Sequence, residues 1–199
     1  MNGYLPYHQL TVDDFPAKDL GHPGMVYWVE PFIHPYYTSM SREQHGMFFA
    51  YIKEWTVFSG FNQNLSGRKT GFRTMKEELP YAQALLDLNE VYARRLAALQ
   101  PAEFPRGSGR SWPEAQRNLE QAVEKVIQNQ YTEERREAER MATATNNGQN
   151  KKRVRELGAA IKKRLAQAPA ATPSPTPSQQ SGGFQPIIPP PAQLSPTPK

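Results

Sequence analysis

The sequence contains no cysteine, which excludes disulfide bonds and thiolate chemistry. It also contains no run of about 18 apolar residues, so no transmembrane helix is predicted. Its first six residues lack the basic and apolar parts of a signal peptide. We therefore expect either a cytoplasmic protein or one whose signal peptide has been removed. The absence of cysteine does not decide between these compartments.

Several catalytic and nucleotide-binding motifs are missing as well. The chain has no Gly-x-Ser-x-Gly elbow, no phosphate-binding loop of the Gly-x-x-x-x-Gly-Lys type and no dinucleotide-binding glycine pattern. Its four histidines are His8, His22, His34 and His45, and none lies three or four residues from another. No local histidine pair therefore predicts a metal site, although a site assembled from His34, His45 and Glu54 stays open.

Apolar residues are scarce at the C-terminal end. Overall, hydrophobic residues make up 38% of the chain and the mean hydropathy is −0.73. Residues 169–199 hold ten of the 19 prolines and no acidic residue. Such a segment buries too little apolar surface to offset its ordering entropy. We predict a folded domain over residues 1–166 and a disordered, proline-rich tail over 167–199. Its 186–191 stretch suits either a linker or docking to an aromatic groove of a partner.

The net charge is +5, and most of the excess lies in one late segment. A basic cluster of this kind suits phosphate binding, which keeps a helical nucleic-acid-associated protein as an alternative. No aromatic residue is interleaved to stack bases, so we expect a solvated helix face and no nucleic-acid partner. The basic residues are Lys151, Lys152, Arg153, Arg155, Lys162, Lys163 and Arg164.

The order of the predicted elements indicates an α+β fold. Aromatic and β-branched residues predict strands over 25–37 and 47–58, paired as an antiparallel hairpin around a turn at about 41–46. The segment 10–15 is either a short edge strand or a turn. Three helices follow: one over about 80–99, one from Trp112 to about Met141, and one after a turn at 145–148. We therefore predict a small antiparallel sheet followed by three helices.

The first helix begins at Pro80, whose missing N–H costs nothing at a helix start. One face carries an ordinary apolar stripe, which by itself predicts core packing and no catalysis. The stripe consists of Tyr81, Leu85, Leu88, Tyr92 and Leu96.

Three short motifs resemble a bacterial family of zincin-like secreted metalloproteases, classed as a domain of unknown function. The family has an early Leu-Thr-x-x-Asp-Phe motif, similar to Leu10-Thr11-Val12-Asp13-Asp14-Phe15. Its long helix begins with His-Glu-Gln-x-His and continues into a segment similar to Asp87 through Leu96. This chain keeps Gln83, Asp87, Glu90, Tyr92, Ala93, Arg94, Arg95 and Leu96. A late Glu-Thr-x-His-Gly turn resembles Ala144-Thr145-Asn146-Asn147-Gly148.

The resemblance implies a zincin-like fold whose metal site is degenerate. Tyr81 and Leu85 stand where the family has its first two histidine ligands, and Asn147 stands at the third. Ala82 stands where the family has its general base. Catalytic zinc needs three protein ligands and an open water position. The resemblance therefore implies no catalytic residues, no bound metal and no cofactor.

We accordingly predict a non-enzymatic, pseudo-metalloprotease domain that binds a peptide or protein partner. A sheet edge with aromatic side chains suits an extended peptide, and Trp28, Tyr36, Tyr51 and Trp55 are the candidate binding residues. An active metal-dependent peptidase with relocated ligands stays open as an alternative. The sequence does not identify the partner or the oligomeric state.

Overall fold

The computed structural model describes residues 3–18, 25–70 and 78–169. The predicted tail from residue 170 onward lies outside these residues. The described part of the chain forms an antiparallel sheet followed by three helices, which confirms the predicted α+β order. Its strands are β1 (Tyr4–Pro6), β2 (Ala17–Lys18), β3 (Tyr27–Trp28), β4 (Pro31–Gln44), β5 (Met47–Asn62), β6 (Gly67–Lys69) and β7 (Gly107–Gly109). Its α-helices are α1 (Leu79–Ala97), α2 (Trp112–Thr145) and α3 (Lys151–Gln167).

A long hairpin of β4 and β5 dominates the sheet. β5 also pairs antiparallel with β1 near one end and with β7 near the other. A second sheet of three short strands has the order β2-β6-β3, and its β2–β6 pair is parallel. The predicted turn at 41–46 is too long, because β4 continues to Gln44. His45 and Gly46 alone make the turn, and both have positive φ, as a two-residue hairpin loop requires.

The two faces of the hairpin differ in what covers them. A bulge at Thr38/Ser39 leaves Lys53 as an extra residue in β5. The inner face packs against α1 and α2 and contributes Ile33, Val57, Ala50 and Ile52 to the core. We call the opposite side the outer face. It carries Tyr36, Thr38, Met40 and Arg42 from β4, and Phe49, Tyr51, Thr56 and Phe58 from β5.

Helix α1 is buried on nearly all sides, whereas the apolar stripe predicted a single buried face. Its buried residues include the polar side chains Gln83, Asp87, Asn89 and Glu90. The reason is that α1 contacts the hairpin as well as α2 and α3. Within the described residues, no helix is long and apolar enough to cross a membrane.

The segment 10–15 forms a turn, one of its two predicted structures. A 3₁₀ helix over Val12–Asp14 is capped by the Asp14 carboxylate, which accepts a hydrogen bond from the Thr11 N–H at 2.6 Å. Asp14 also lies 3.0 Å from His8 Nε2, and Phe15 is buried. The turn therefore anchors the N-terminal segment against the core.

Glu134 on α2 should make stability depend on pH. Burial, Glu137 and Glu30 together raise the pKa of this carboxyl to about 7, against a smaller opposing effect of Arg135. A carboxyl whose pKa rises on folding favours the protonated native state, so its contribution is fully present below about pH 4.5 and is lost as pH rises through 7. We expect Glu134→Gln to stabilise the fold at pH 8 by about 1–3 kcal/mol, and much less at pH 4.5. Urea unfolding at both pH values measures this, and an equal effect at both would contradict it.

Candidate functional site

Helix α1 places the residues that the resemblance assigns to a degenerate metal site. Tyr81 and Ala82 are buried, with 4% and 1% of their surface exposed. Leu85 is partly buried and packs against two clusters of core residues, one on each side of the helix. These three side chains therefore fill space between α1 and its neighbours.

Tyr81 lies against the turn that joins α2 to α3. A Cβ atom added to Gly148 would lie 2.7 Å from Tyr81 Cγ, so the ring packs directly on the glycine backbone. Burial raises the pKa of the Tyr81 phenol, although a hydrogen bond with the Thr145 side chain lowers it in part. The phenol is therefore neutral at physiological pH and offers no phenolate to a metal.

The α2–α3 turn is held in a conformation that few residues adopt. Asn146, Asn147 and Gly148 have φ values of 48°, 51° and 88°. The Thr145 hydroxyl donates to Met141 O at 2.7 Å and accepts from the Gly148 N–H at 3.1 Å. The structure thus has the turn predicted at residues 145–148.

The first and last positions of the predicted site lie in the same region of the fold. Tyr81 touches Gly148, and adjacent Cα atoms lie about 3.8 Å apart, so the Asn147 backbone is close to the Tyr81 ring. The Asn147 side chain is exposed, whereas Tyr81 and Ala82 are buried. Tyr81 is thus in packed contact with the turn that carries Asn147.

A polar ridge runs along another side of α1. No sequence motif predicted this cluster of side chains. It consists of Gln83, Asp87, Glu90 and Arg94, with spacings of four, three and four residues. Arg94 Nε donates to Glu90 Oε1 at 2.7 Å, and Ser59 of β5 donates to the other Glu90 oxygen. This end of the ridge joins α1 to the hairpin.

The other end of the ridge binds the N-terminal segment. Asp87 Oδ1 accepts hydrogen bonds from Tyr7 at 2.9 Å and from Gln83 at 2.7 Å. Gln83 Oε1 accepts from the Leu10 N–H at 2.6 Å and from Gln9 at 2.7 Å. Burial, followed by the Asp87 carboxylate, raises the pKa of Tyr7. The Glu90 oxygens and Asp87 Oδ1 thus accept hydrogen bonds from donors within the protein, which is typical of a structural role.

One atom of the ridge has no partner. Asp87 Oδ2 is buried and accepts no hydrogen bond within the described part of the chain. Gln83 and Asp87 also line a surface pocket of about 420 Å³ between α1 and α3. The ridge gave one sequence signal, because Gln83, Asp87, Glu90 and Arg94 are residues that the chain shares with the resembling family.

The four candidate binding residues are divided between the two sheets and between the two faces of the hairpin. Trp28 Nε1 donates to Leu65 O and Trp55 Nε1 donates to Leu96 O, both at 2.9 Å. Trp28 is buried, and the Trp55 ring centroid lies 4.5 Å from that of Phe104 on the inner side, with the two ring planes inclined by 51°. Tyr36 and Tyr51 lie on the outer face instead. The four residues therefore do not line one groove, because Trp55 lies on the inner face of β5 and Trp28 belongs to β3 of the second sheet.

A concave site, which we call the arginine pocket, combines outer-face side chains of the hairpin with Ile52 and Phe104, which also belong to the core. It has a volume of about 530 Å³ and lies where the end of the hairpin meets the segment 101–106. Phe49 and Tyr51 lie on its sheet side, and Pro101 and Phe104 on the opposite side. Arg42 and Arg106 are both exposed in its lining. The remaining lining residues are Gln44, Ile52 and Ala102.

The hairpin separates the residues of the alternative metal site. His34 pairs with Phe58, Thr38 pairs with Glu54, and His45 lies in the turn. Along β4, His34 is therefore four residues from Thr38, the partner of Glu54, and His45 is seven residues beyond Thr38. At about 3.3 Å per residue these intervals span roughly 13 Å and 23 Å. Among the described residues, no group of three or more His, Asp or Glu side chains lies close enough to hold a metal ion.

Part of the basic cluster on α3 is engaged in ion pairs. Lys151 Nζ lies 2.5 Å from Glu78, and Arg153 lies 2.8 Å from Glu156. Arg164 pairs with Glu137 of α2, and this hydrogen bond raises the pKa of Arg164. Two of the seven basic side chains, Lys151 and Arg164, thus attach α3 to neighbouring elements, whereas Arg153 pairs within the helix.

The structure has the predicted α+β order, and it brings Tyr81 close to the turn that contains Asn147. Zincin likeness itself rests on short sequence motifs and stays a prediction. Comparisons of the chain with family models, with curated proteins and with solved structures found no match.

Proposed function

We propose that this chain is a non-catalytic, metalloprotease-like domain that binds a peptide or protein partner. The observation that carries the proposal is the packing at the matched positions. Tyr81 and Ala82 are buried in the core, and Tyr81 lies against Gly148, next to Asn147. On the resemblance, these are the positions that would hold the zinc ligands and the general base.

The chemistry of the replacements supports the same proposal. Alanine and leucine have no lone pair for a metal, and the neutral phenol of Tyr81 is a poor zinc ligand. An asparagine amide is a weaker zinc ligand than an imidazole. Losing one ligand leaves room for a modified site. Losing three ligands and the base removes both metal binding and water activation.

The outer face supports the binding half of the proposal. Met40 and Met47 are 41% and 38% exposed, beside the partly exposed rings of Phe49 and Tyr51. Methionine and aromatic side chains are typical of protein-binding surfaces, because methionine adapts its shape to a partner and aromatic rings offer large apolar contacts. An extended peptide laid on this face would meet these side chains.

Metal content and peptidase activity test the catalytic half. We expect the purified full-length protein to retain less than about 0.1 equivalent of zinc after dialysis, and to cleave a casein substrate no faster than buffer does. The reason is that a three-ligand site is needed for tight zinc binding. A His34→Ala/His45→Ala variant tests the relocated-ligand alternative. Stoichiometric zinc in the wild type that this variant loses, together with peptide cleavage, would contradict the proposal.

A further inference from the structure

We propose that the arginine pocket binds an acidic, extended segment of a partner protein. This inference rests on the proposed peptide-binding function and specifies its site and its ligand chemistry. The apolar part of the pocket would take one side chain of the segment. The two guanidinium groups would bind carboxylates on either side of that side chain.

The charge of the pocket favours an anionic ligand. Arg42 and Arg106 are exposed, and neither makes a hydrogen bond or an ion pair within the described part of the chain. No acidic residue occurs among the described residues that line the pocket. The nearby Glu103 carboxylate accepts a hydrogen bond from the Gln100 N–H at 2.5 Å, which occupies it locally. Two unpaired guanidinium groups in one concavity are complementary to a pair of carboxylates.

The shape and the apolar lining favour a peptide. A volume of about 530 Å³ exceeds what one apolar side chain needs, so a short segment fits. Tyr51 and Phe49 form one wall and Pro101 the other, while Met40 extends the apolar surface along the hairpin. Aromatic residues and arginine are the types that most often dominate the binding energy of protein interfaces.

Two other occupants fit less well. The C-terminal tail of this chain has no acidic side chain, so it lacks the complementary charge. A single-stranded nucleic acid needs a basic groove that follows several phosphates and rings that are free to stack on bases. The pocket lining has only two cationic residues among those described, and its Phe104 ring is buried against Trp55.

Fluorescence anisotropy on the full-length protein tests the proposal. The probes are three labelled 12-residue peptides with the same apolar residues. Their polar positions carry Glu and Asp in the first, Gln and Asn in the second, and Lys in the third. We expect the acidic peptide to bind at least tenfold more tightly than the amide peptide, and less tightly as salt rises from 50 to 500 mM.

Charge-matched variants locate the site. R42Q/R106Q should weaken binding of the acidic peptide by about tenfold or more for each arginine, because each removes a charge-assisted hydrogen bond. R136Q/R155Q removes the same charge from exposed positions on α2 and α3, and should change the affinity by less than about twofold. Thermal unfolding within about 2 °C of the wild type shows that each variant is folded.

Several results would overturn the inference. Equal binding of the acidic and amide peptides would remove the charge preference, while the proposed peptide-binding function would still stand. Unchanged affinity in folded R42Q/R106Q would place the site elsewhere. Tighter binding of a labelled oligo(dT) than of the acidic peptide, lost in the same variant, would assign the pocket to nucleic acid. Failure of the wild type to bind the acidic peptide would also overturn it, independently of the metal and peptidase assays.

Discussion

Replacing Gly148 with alanine is expected to destabilise the protein by about 2–5 kcal/mol. The glycine has a φ of 88°, where a Cβ atom costs about 1–2 kcal/mol. That Cβ would also lie 2.7 Å from Tyr81 Cγ and 3.0 Å from Tyr81 Cβ, so the ring or the turn must move. Overpacking of this kind costs about 1–3 kcal/mol more. Chemical denaturation of Gly148→Ala against the wild type measures the sum.

Gly46 provides the matched control. It has a φ of 75°, yet an added Cβ would meet nothing within 4 Å. Gly46→Ala should therefore cost only the backbone strain, about 1–2 kcal/mol. Adding Tyr81→Ala to Gly148→Ala should cost less than the sum of the two single changes, because the clash is then absent. Two results would together contradict close packing of the turn on the Tyr81 ring. They are equal losses of stability in Gly46→Ala and Gly148→Ala, and a loss in the Tyr81→Ala/Gly148→Ala variant equal to the sum of the two single losses.

Removing the Glu90 side chain should have a comparable or larger effect, about 3–5 kcal/mol for Glu90→Ala. The Glu90 side chain is only 2% exposed and accepts hydrogen bonds from Arg94 and Ser59. Its loss leaves the mostly buried guanidinium of Arg94 without its carboxylate, which is the costly way to break a buried pair. Since a domain of this size has roughly 5–15 kcal/mol of stability, the variant should be close to unfolding.

An exposed pair on α3 is the control for this change. Arg153 and Glu156 lie 2.8 Å apart with about half of each side chain exposed, so Glu156→Ala should cost less than about 1 kcal/mol. A Glu90→Leu/Arg94→Leu variant should recover much of the lost stability, because it removes both charges together. A loss at Glu90 no greater than the loss at Glu156 would show that the ridge does not fasten α1 to the hairpin.

Local sequence patterns predicted the elements that depend on local chemistry. Pro80 lies at the start of α1, and α2 begins at Trp112 as predicted, with Pro113 in its first turn. The asparagine-rich turn at 145–148 is present, because asparagine and glycine tolerate positive φ. The hairpin pairing was also predicted, but the single strand predicted over 25–37 was wrong: residues 27–28 form β3 in the second sheet, and β4 begins at Pro31. Both hairpin strands end later than predicted. Alternation of apolar and polar residues does not show where a strand that has left the core ends. The pattern therefore missed the last residues of β4 and β5.

The polar ridge, the placement of the candidate binding residues and the arginine pocket depend on contacts between distant parts of the chain. Local sequence patterns carry no information about such contacts. The apolar stripe of α1 predicted one buried face, but neighbours on its other sides bury Gln83, Asp87 and Glu90 as well. Trp28 and Trp55 were grouped with Tyr36 and Tyr51 by composition. The strand register places Trp55 on the other face of the hairpin, and the sheet topology places Trp28 in the second sheet. The arginine pocket combines the end of the hairpin with the segment 101–106, about 55 residues later in the chain. No spacing within the sequence relates Arg42 to Arg106.

Restoring the ligands tests most directly whether Tyr81, Leu85 and Asn147 mark a lost zinc site. Three histidines placed at these positions by Y81H/L85H/N147H would complete a three-ligand site if the positions converge. The control Y81H/L85H/N129H keeps the pair on α1 and places the third histidine at an exposed position on α2.

Zinc affinity, measured by competition with a fluorescent chelator, is the decisive quantity. A degenerate zinc site predicts that folded Y81H/L85H/N147H binds one zinc ion at least about tenfold more tightly than the control, because a third ligand joins the pair. Equal zinc affinity in the two folded variants would contradict the degenerate metalloprotease site.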